Sequence, residues 1–315
     1  MLWAGLLAAA ALGASSPQDA APTPPPVAVA PDPDTPDPDT PTQLEDVVVS
    51  STLEQLTREF VATASAPANY RGLARWEREL CLGVVGLRAD AAHQIIDRVS
   101  EVARELEIPL GEPGCAPNAV IIGTDDARGM AARLVGERRR AFRIGFSRSN
   151  RGSRALETFR TSEDAVRWWH ISFPYGEDGK CLAIKIFQGP DACGNSFNRS
   201  YRGLGIMDVI RRAIVILDVP RLEGTDFAAL SDYLAMLVLA QIDPNGETGR
   251  FDTVLNLPDG DGSVSGLTEW DWAYLTALYD ARPTRLNQPV QADALMEILS
   301  TDPGPADDAG PADEP

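Results

Sequence analysis

Two short apolar runs, LCLGVVG at 80–86 and AVIIG at 119–123, flank a stretch with helical periodicity and narrow the possible folds of this chain more than anything else in it. Each run has the length of a buried strand and ends on glycine. Between them Ala92, Ile95, Ile96, Val99, Val102 and Leu106 recur at helical spacing, and Asp90 stands where a helix cap belongs. A strand, helix, strand unit predicts two parallel strands. Cys81 begins the first strand and Cys115 just precedes the second, so both are expected at the same end of the sheet, well placed to bond.

The remaining elements predict strands of both directions. In VRWWHISF, 166–173, Trp168, His170 and Ser172 share one face while Trp169, Ile171 and Phe173 share the other. The loop PYGEDGK then leads into KCLAIKIF, which reads as an antiparallel hairpin. Cys181 opens that second strand and Cys193 lies in the loop beyond it. Four cysteines allow three connectivities, and the element order favours Cys81 with Cys115 and Cys181 with Cys193. A Cys-only metal site would need closer, CxxC-like spacing. AIVIL at 213–217 is a further buried strand, followed by Thr225 as a cap and an apolar helix over 226–242. DTVLNL reads as a short strand. Thr268 with Asp271 three residues on forms a capping-box pattern. It opens a helix whose predicted face is Trp270, Ala273, Tyr274, Ala277 and Leu278. The expected fold class is α+β, a mixed sheet with packed helices in a single main domain.

Charge and proline separate that domain from its flanks. Leu2 to about Ala14 is apolar, reaches small residues at Gly13, Ala14 and Ser15 and breaks at Pro17, as a secretory leader and its cleavage site would. The run is shorter than the ~20 apolar residues of a bilayer crossing. Ten of the 25 prolines lie between Pro17 and Pro41, including the repeat PDPDT. Such a stretch buries too little apolar area to offset its ordering entropy and reads as an extended spacer. Residues 15–46 and 302–315 hold twelve acids and no base; the remaining 34 acidic and 28 basic residues leave the middle near −6. The formal charge of −18 therefore describes tails more than a binding face. The expected organisation is a leader over 1–14, a disordered spacer over 15–46, a folded domain over 47–301 and an acidic tail over 302–315. The mature protein is expected in the periplasm or outside the cell, not spanning the membrane.

In the last third, RAIVILD, LSDYLAMLVLAQIDP, DTVLNLP, a Gly/Asp loop and LTEWDWAYLTALYD follow one another. This order, over about a quarter of the chain, resembles the catalytic half of matrix-type zinc peptidases. There a helix bearing HExxHxxGxxH is followed by a methionine turn and a closing helix. The wider pattern is also similar to secreted proteobacterial proteins with a degenerate zincin-like core. Laid on the family motif, the first zinc histidine falls at Asp232, the general-base glutamate at Tyr233, the second histidine at Met236, the glycine at Leu239 and the third histidine at Ile242. The turn methionine falls at Leu255. The resemblance implies a zincin-like fold without its reaction. A catalytic zinc needs three N or O ligands and an open position, one carboxylate stands in for the set, and a tyrosine with reference pKa near 10 is no general base at neutral pH.

Other chemistry is sparse. Of the two histidines, His93 lies on the polar face of its helix and His170, between tryptophan-rich neighbours, is the better candidate; a hydrogen-bonded structural role competes with a functional one. GxSxG and GxxxxGKS are missing. PDGDGS resembles the start of a calcium loop but has Val264 where glycine is needed and no closing glutamate. Eight arginines lie between Arg133 and Arg154 against the single acid Glu137. Arg138, Arg139, Arg140, Arg143, Arg148 and Arg151 are candidates for an anion-binding surface facing a phosphate-bearing polymer or an acidic partner. A merely solvated helix end competes with that reading. No nucleic-acid partner, metal or cofactor is expected. The expectation is a non-catalytic envelope binding module using a cleft beside Asp232, Tyr233, Met236 and His170, with an envelope protein or polymer as partner. The alternative is a hydrolase with a non-standard site around His170 and Asp232.

Overall fold

The computed structural model describes residues 42–68, 71–142, 150–176, 181–183, 206–258, 264–280 and 288–301. The chain divides into two compact units, Met1–Glu45 and Asp46–Pro315, and the sheet lies wholly in the second. The leader, most of the spacer and the acidic tail fall outside the described residues.

The elements are α1 (Thr42–Ala64), β1 (Leu82–Val85), α2 (Ala89–Glu105), β2 (Ala119–Thr124), α3 (Ala127–Glu137), α4 (Arg139–Phe142), α5 (Ser153–Thr161), β3 (Val166–Gly176), β4 (Ile206–Asp218), α6 (Phe227–Leu239), α7 (Glu269–Asp280) and α8 (Gln288–Thr301). The fold is α+β around a mixed four-stranded sheet of order β1-β2-β4-β3. β1 pairs with β2 in parallel, Leu82 beside Ala119, as the strand, helix, strand pattern requires. β2 also runs parallel to β4, Ala119 beside Ala213. β3 lies antiparallel to β4 from Val166 beside Leu217 to Gly176 beside Ile206, with a bulge between Ile171 and Ser172. None of the described helices is long and apolar enough to cross a membrane.

The pleat sorts side chains to the two faces. From β4, Ala213, Val215 and Leu217 join a core containing Phe60 of α1, Ile95 and Val99 of α2, and most of α6. Ile214 and Ile216 point the other way and pack with Trp169, Ile171, Phe142, Leu156 and Phe159. The sheet is thus covered on both sides. Every residue of α6 from Ala229 to Leu239 is buried; a helix apolar all round belongs inside a core. Burial of a leucine such as Leu234 or Leu237 stabilises the fold by about 1.5–3 kcal/mol.

Several local expectations are corrected. α2 starts two residues early: Arg88 occupies the cap position without a side-chain bond, and Asp90 sits in the first turn, where a carboxylate favours the positive helix end. The cap of α6 is Asp226, not Thr225; its Oδ1 accepts the Ala229 N–H at 2.8 Å. DTVLNL is not a strand but a 3₁₀ turn over Val254–Asn256. Its polar groups are taken by Asp271, whose buried carboxylate accepts from the Thr253 hydroxyl and, at 2.7 Å, from the Val254 N–H. The same carboxylate receives the Thr268 N–H at 3.0 Å, and the Asp271 N–H donates back to the Thr268 hydroxyl, completing the expected capping box of α7. The buried side of α7 is wider than its sequence pattern implies and takes in Asp271 and Leu275.

Cys81 and Cys115 are disulfide-bonded, their Cα atoms 6.1 Å apart. Asn118 clamps the same end of the sheet, accepting from the Cys81 N–H at 2.9 Å and donating to the Glu79 carbonyl at 2.8 Å. Residues 181–183 begin the expected hairpin return, with Tyr175 bridging Leu182. Cys193 lies outside the described residues, so the pairing of Cys181 with it remains an expectation.

Candidate functional site

The β3 residues that alternate toward α6 all engage its C-terminal end. Trp168 donates its indole N–H to the Ile242 carbonyl at 2.9 Å, and Gln241 donates to the Ser172 hydroxyl at 3.4 Å. His170 Nε2 lies 2.7 Å from the Leu237 carbonyl. A carbonyl only accepts, which places the imidazole proton on Nε2. The last carbonyls of a helix have no partner within it, and α6 passes into the extended residue Ala240 without a glycine cap. Three consecutive carbonyls are instead capped by side chains: Leu237 by His170, Val238 by the Trp76 indole at 2.8 Å and Leu239 by the Tyr279 hydroxyl at 2.7 Å. Burial drives the His170 pKa down to about 4, the Leu237 bond opposes the shift, and Arg151 adds to it. The ring is neutral at physiological pH and serves as a cap.

Asp232 is also consumed by structure. Its Oδ1 forms an ion pair with Arg98 Nε of α2, and its Oδ2 accepts the Leu267 N–H at 3.0 Å. Glycine suits position 266 because a Cβ there would come within 2.5 Å of Asp232 Oδ2. Arg98 also holds Glu101 at 2.6 Å, and the bond to Asp232 raises the Arg98 pKa above its already high value. Met236 is fully buried in the core. Tyr233 is buried, its ring 6.4 Å from that of Trp168 in an edge-to-face pair. No hydrogen bond or ion pair joins His170 to Asp232 among the described residues.

The residues that the zinc-peptidase resemblance sets at the ligand positions do not fit a zinc ion. Asp232 is neutralised by Arg98, Met236 is sealed in the core, and Ile242 offers no donor. Among the described residues no three His, Cys, Asp or Glu side chains come together as a ligand set.

What does open beside these positions is a groove of about 1020 Å³ that is continuous with solvent. It is lined by Val166 and Trp168 of β3, Tyr233 of α6, the 242–249 segment that follows α6, Phe251, and Leu255 of the 3₁₀ turn. Its acids, Glu163, Asp164, Asp243, Glu247 and Asp252, face a single base, Arg221, among the described lining residues. Sequence reasoning passes over Glu247 and Asp252 because DPNGETGRFD carries mostly turn residues; nothing in it signals that the turn borders a groove.

Of the arginine segment, the described residues show only part. Arg138 and Arg139 are exposed at the end of α3 and the start of α4. The side chain of Arg140 and all of Arg143 and Arg148 lie outside the described residues. Arg151 turns to Asp243, with Nη2 to Oδ2 at 2.8 Å. His93 is at most partly covered, as its helical position implies. No family model, curated protein or solved structure matches the chain.

Proposed function

We propose that the chain is an exported envelope protein whose zincin-like core binds rather than cleaves, with its ligand in the groove between β3 and the 242–256 segment. The observation that carries this reading is that Tyr233 and Leu255 both line the open groove. These are the positions that correspond to the peptidases' general base and turn methionine, while Asp232, the zinc position, is spent on Arg98 and Leu267. A cleft survives where the chemistry has gone. The order of α6, the Val254–Asn256 turn and α7 supports the family resemblance. The Cys81–Cys115 bond supports export, since disulfides persist in oxidising compartments.

The chemistry of the groove selects a cationic chain. Glu163 and Asp243 already hold Arg128 and Arg151, whereas Glu247 and Asp252 are exposed and make no ion pair among the described residues. Trp168, Tyr233 and Phe251 add aromatic surface, against which Lys or Arg side chains are attracted. The ligand is a basic peptide segment of an envelope protein. Fluorescence anisotropy of a labelled oligo-arginine peptide tests this, with an oligo-glutamate peptide as control. Binding of the basic peptide alone, weakened by salt and lost in the Glu247→Lys, Asp252→Lys double variant, is the expected result. Absence of binding, or binding unchanged in that variant, overturns the reading.

A further inference from the structure

Adjoining the groove, Trp168, Gln241, Ile242, Pro244 and Asn245 also line a second, narrower cavity of about 30 Å³. Its other walls come from α5 and from β3, and they include Arg151, Arg167, Trp169 and His170. Both arginines leave a buried nitrogen without a hydrogen-bond partner, Nη1 of Arg151 and Nε of Arg167. Arg167 is only 3% exposed. Its other nitrogens meet backbone carbonyls, those of Phe159 at 3.3 Å and Asp164 at 3.0 Å. Among the described residues no carboxylate is bonded to it, and burial lowers its pKa.

A buried donor left unpaired costs about 1–3 kcal/mol, more when it carries charge. Such groups in folded proteins are satisfied by protein, water or ion with few exceptions. Here two of them, on two cations, border one cavity whose only lining carboxylate, among the described residues, is that of Asp164. We propose that this cavity is an oxyanion site, holding a single carboxylate or phosphate group between Arg151 and Arg167. Guanidinium N–H groups match the oxygens of either group with charge-assisted bonds. Asp243 already neutralises Arg151, whereas Arg167 meets only backbone carbonyls among the described residues; water could accept the same two bonds, and the experiment separates the two cases. The site is distinct from that of the groove's cationic ligand because it takes the opposite charge, although Asp164, Trp168, Ile242, Pro244 and Asn245 line both.

Trp168 and Trp169 line the cavity and supply the readout. The full chain is titrated near neutral pH with sodium acetate and, separately, with sodium phosphate, each against sodium chloride at matched ionic strength. Tryptophan emission and the thermal midpoint are followed. The expected result is a saturable emission change with a rise in midpoint for acetate, phosphate or both, beyond the chloride control. The Arg151→Gln variant, altered at a partly exposed position, is expected to bind about tenfold or more weakly, as loss of a charge-assisted bond implies. Phosphate without acetate identifies a phosphate site, and acetate without phosphate a carboxylate site. No response beyond chloride, as water in the cavity requires, overturns the proposal. So does the same response in Arg151→Gln, which would mark an adventitious ion effect only.

Discussion

At His170 a histidine is held neutral by its surroundings, and the consequence is measurable. The folded pKa is depressed to about 4 from 6.5. Above pH 6.5 both folded and unfolded chains are neutral there, so the residue's stabilisation is fully present. As pH falls from 6.5 toward 4 the unfolded chain gains a proton that the folded chain refuses, and stability drops by about 3 kcal/mol. The buried carboxyls of Asp208 and Asp271, whose pKa values burial raises, contribute with the opposite sign above 3.8. The comparison is therefore made with His170→Gln: urea unfolding at about pH 7 and about pH 4.5 is expected to show a smaller acid loss in the variant. Equal losses in both proteins contradict a buried neutral imidazole. Asp232 makes a second residue-scale case. Its removal leaves Arg98 partly desolvated and the Leu267 N–H without its acceptor, so Asp232→Ala is expected to lose about 2 kcal/mol in the same assay. An unchanged urea midpoint would mean that the carboxylate is not structural. The lone carboxylate is legible in the sequence as a poor metal site; its partner is not, because Arg98 is 134 residues away.

Among the elements, the strand, helix, strand unit is readable because its signals are local: two apolar runs, a helical period and cysteines at matching ends. Replacing both Cys81 and Cys115 by alanine frees a loop of sequence separation 34 and is expected to cost about 3 kcal/mol. A non-reducing against reducing denaturation series checks this, and an effect of reductant in the double variant as large as in the wild type would assign the stabilisation elsewhere. The turn at Val254–Asn256 escapes sequence reading for a physical reason. Its alternation is that of a strand, but its hydrogen bonds go to Asp271, which lies beyond an intervening loop. Asp271→Ala strands the Thr253 hydroxyl and the Val254 and Thr268 N–H groups together, and is expected to destabilise by about 3–4 kcal/mol. Calorimetric unfolding measures it; a loss under about 1 kcal/mol would show that the turn holds without the carboxylate. The first half of β4 is hidden in another way. Asp208, Arg211 and Arg212 interrupt its apolar run, and only the fold shows Asp208 meeting Arg71 and the Gly72 N–H.

For the molecule as a whole, a string of letters shows which residue types are missing better than where a groove opens. Absent histidines are visible at once. A groove is not, because its walls come from β3, α6 and the 242–256 segment, and its acidity arises from residues that look like ordinary turn formers. The two cavities also divide the charges in a way composition hides: acids around the open groove, unpaired guanidinium nitrogens around the enclosed one. Under the proposal, this architecture binds without metal chemistry because Asp232, Met236 and Ile242 occupy the places of the ligands. Elemental analysis of the protein, exported to an oxidising compartment and purified without chelator, decides the matter. Zinc well below one equivalent and a thermal midpoint unaffected by chelator are expected. Near-stoichiometric zinc that disappears in Asp232→Ala would overturn the proposal.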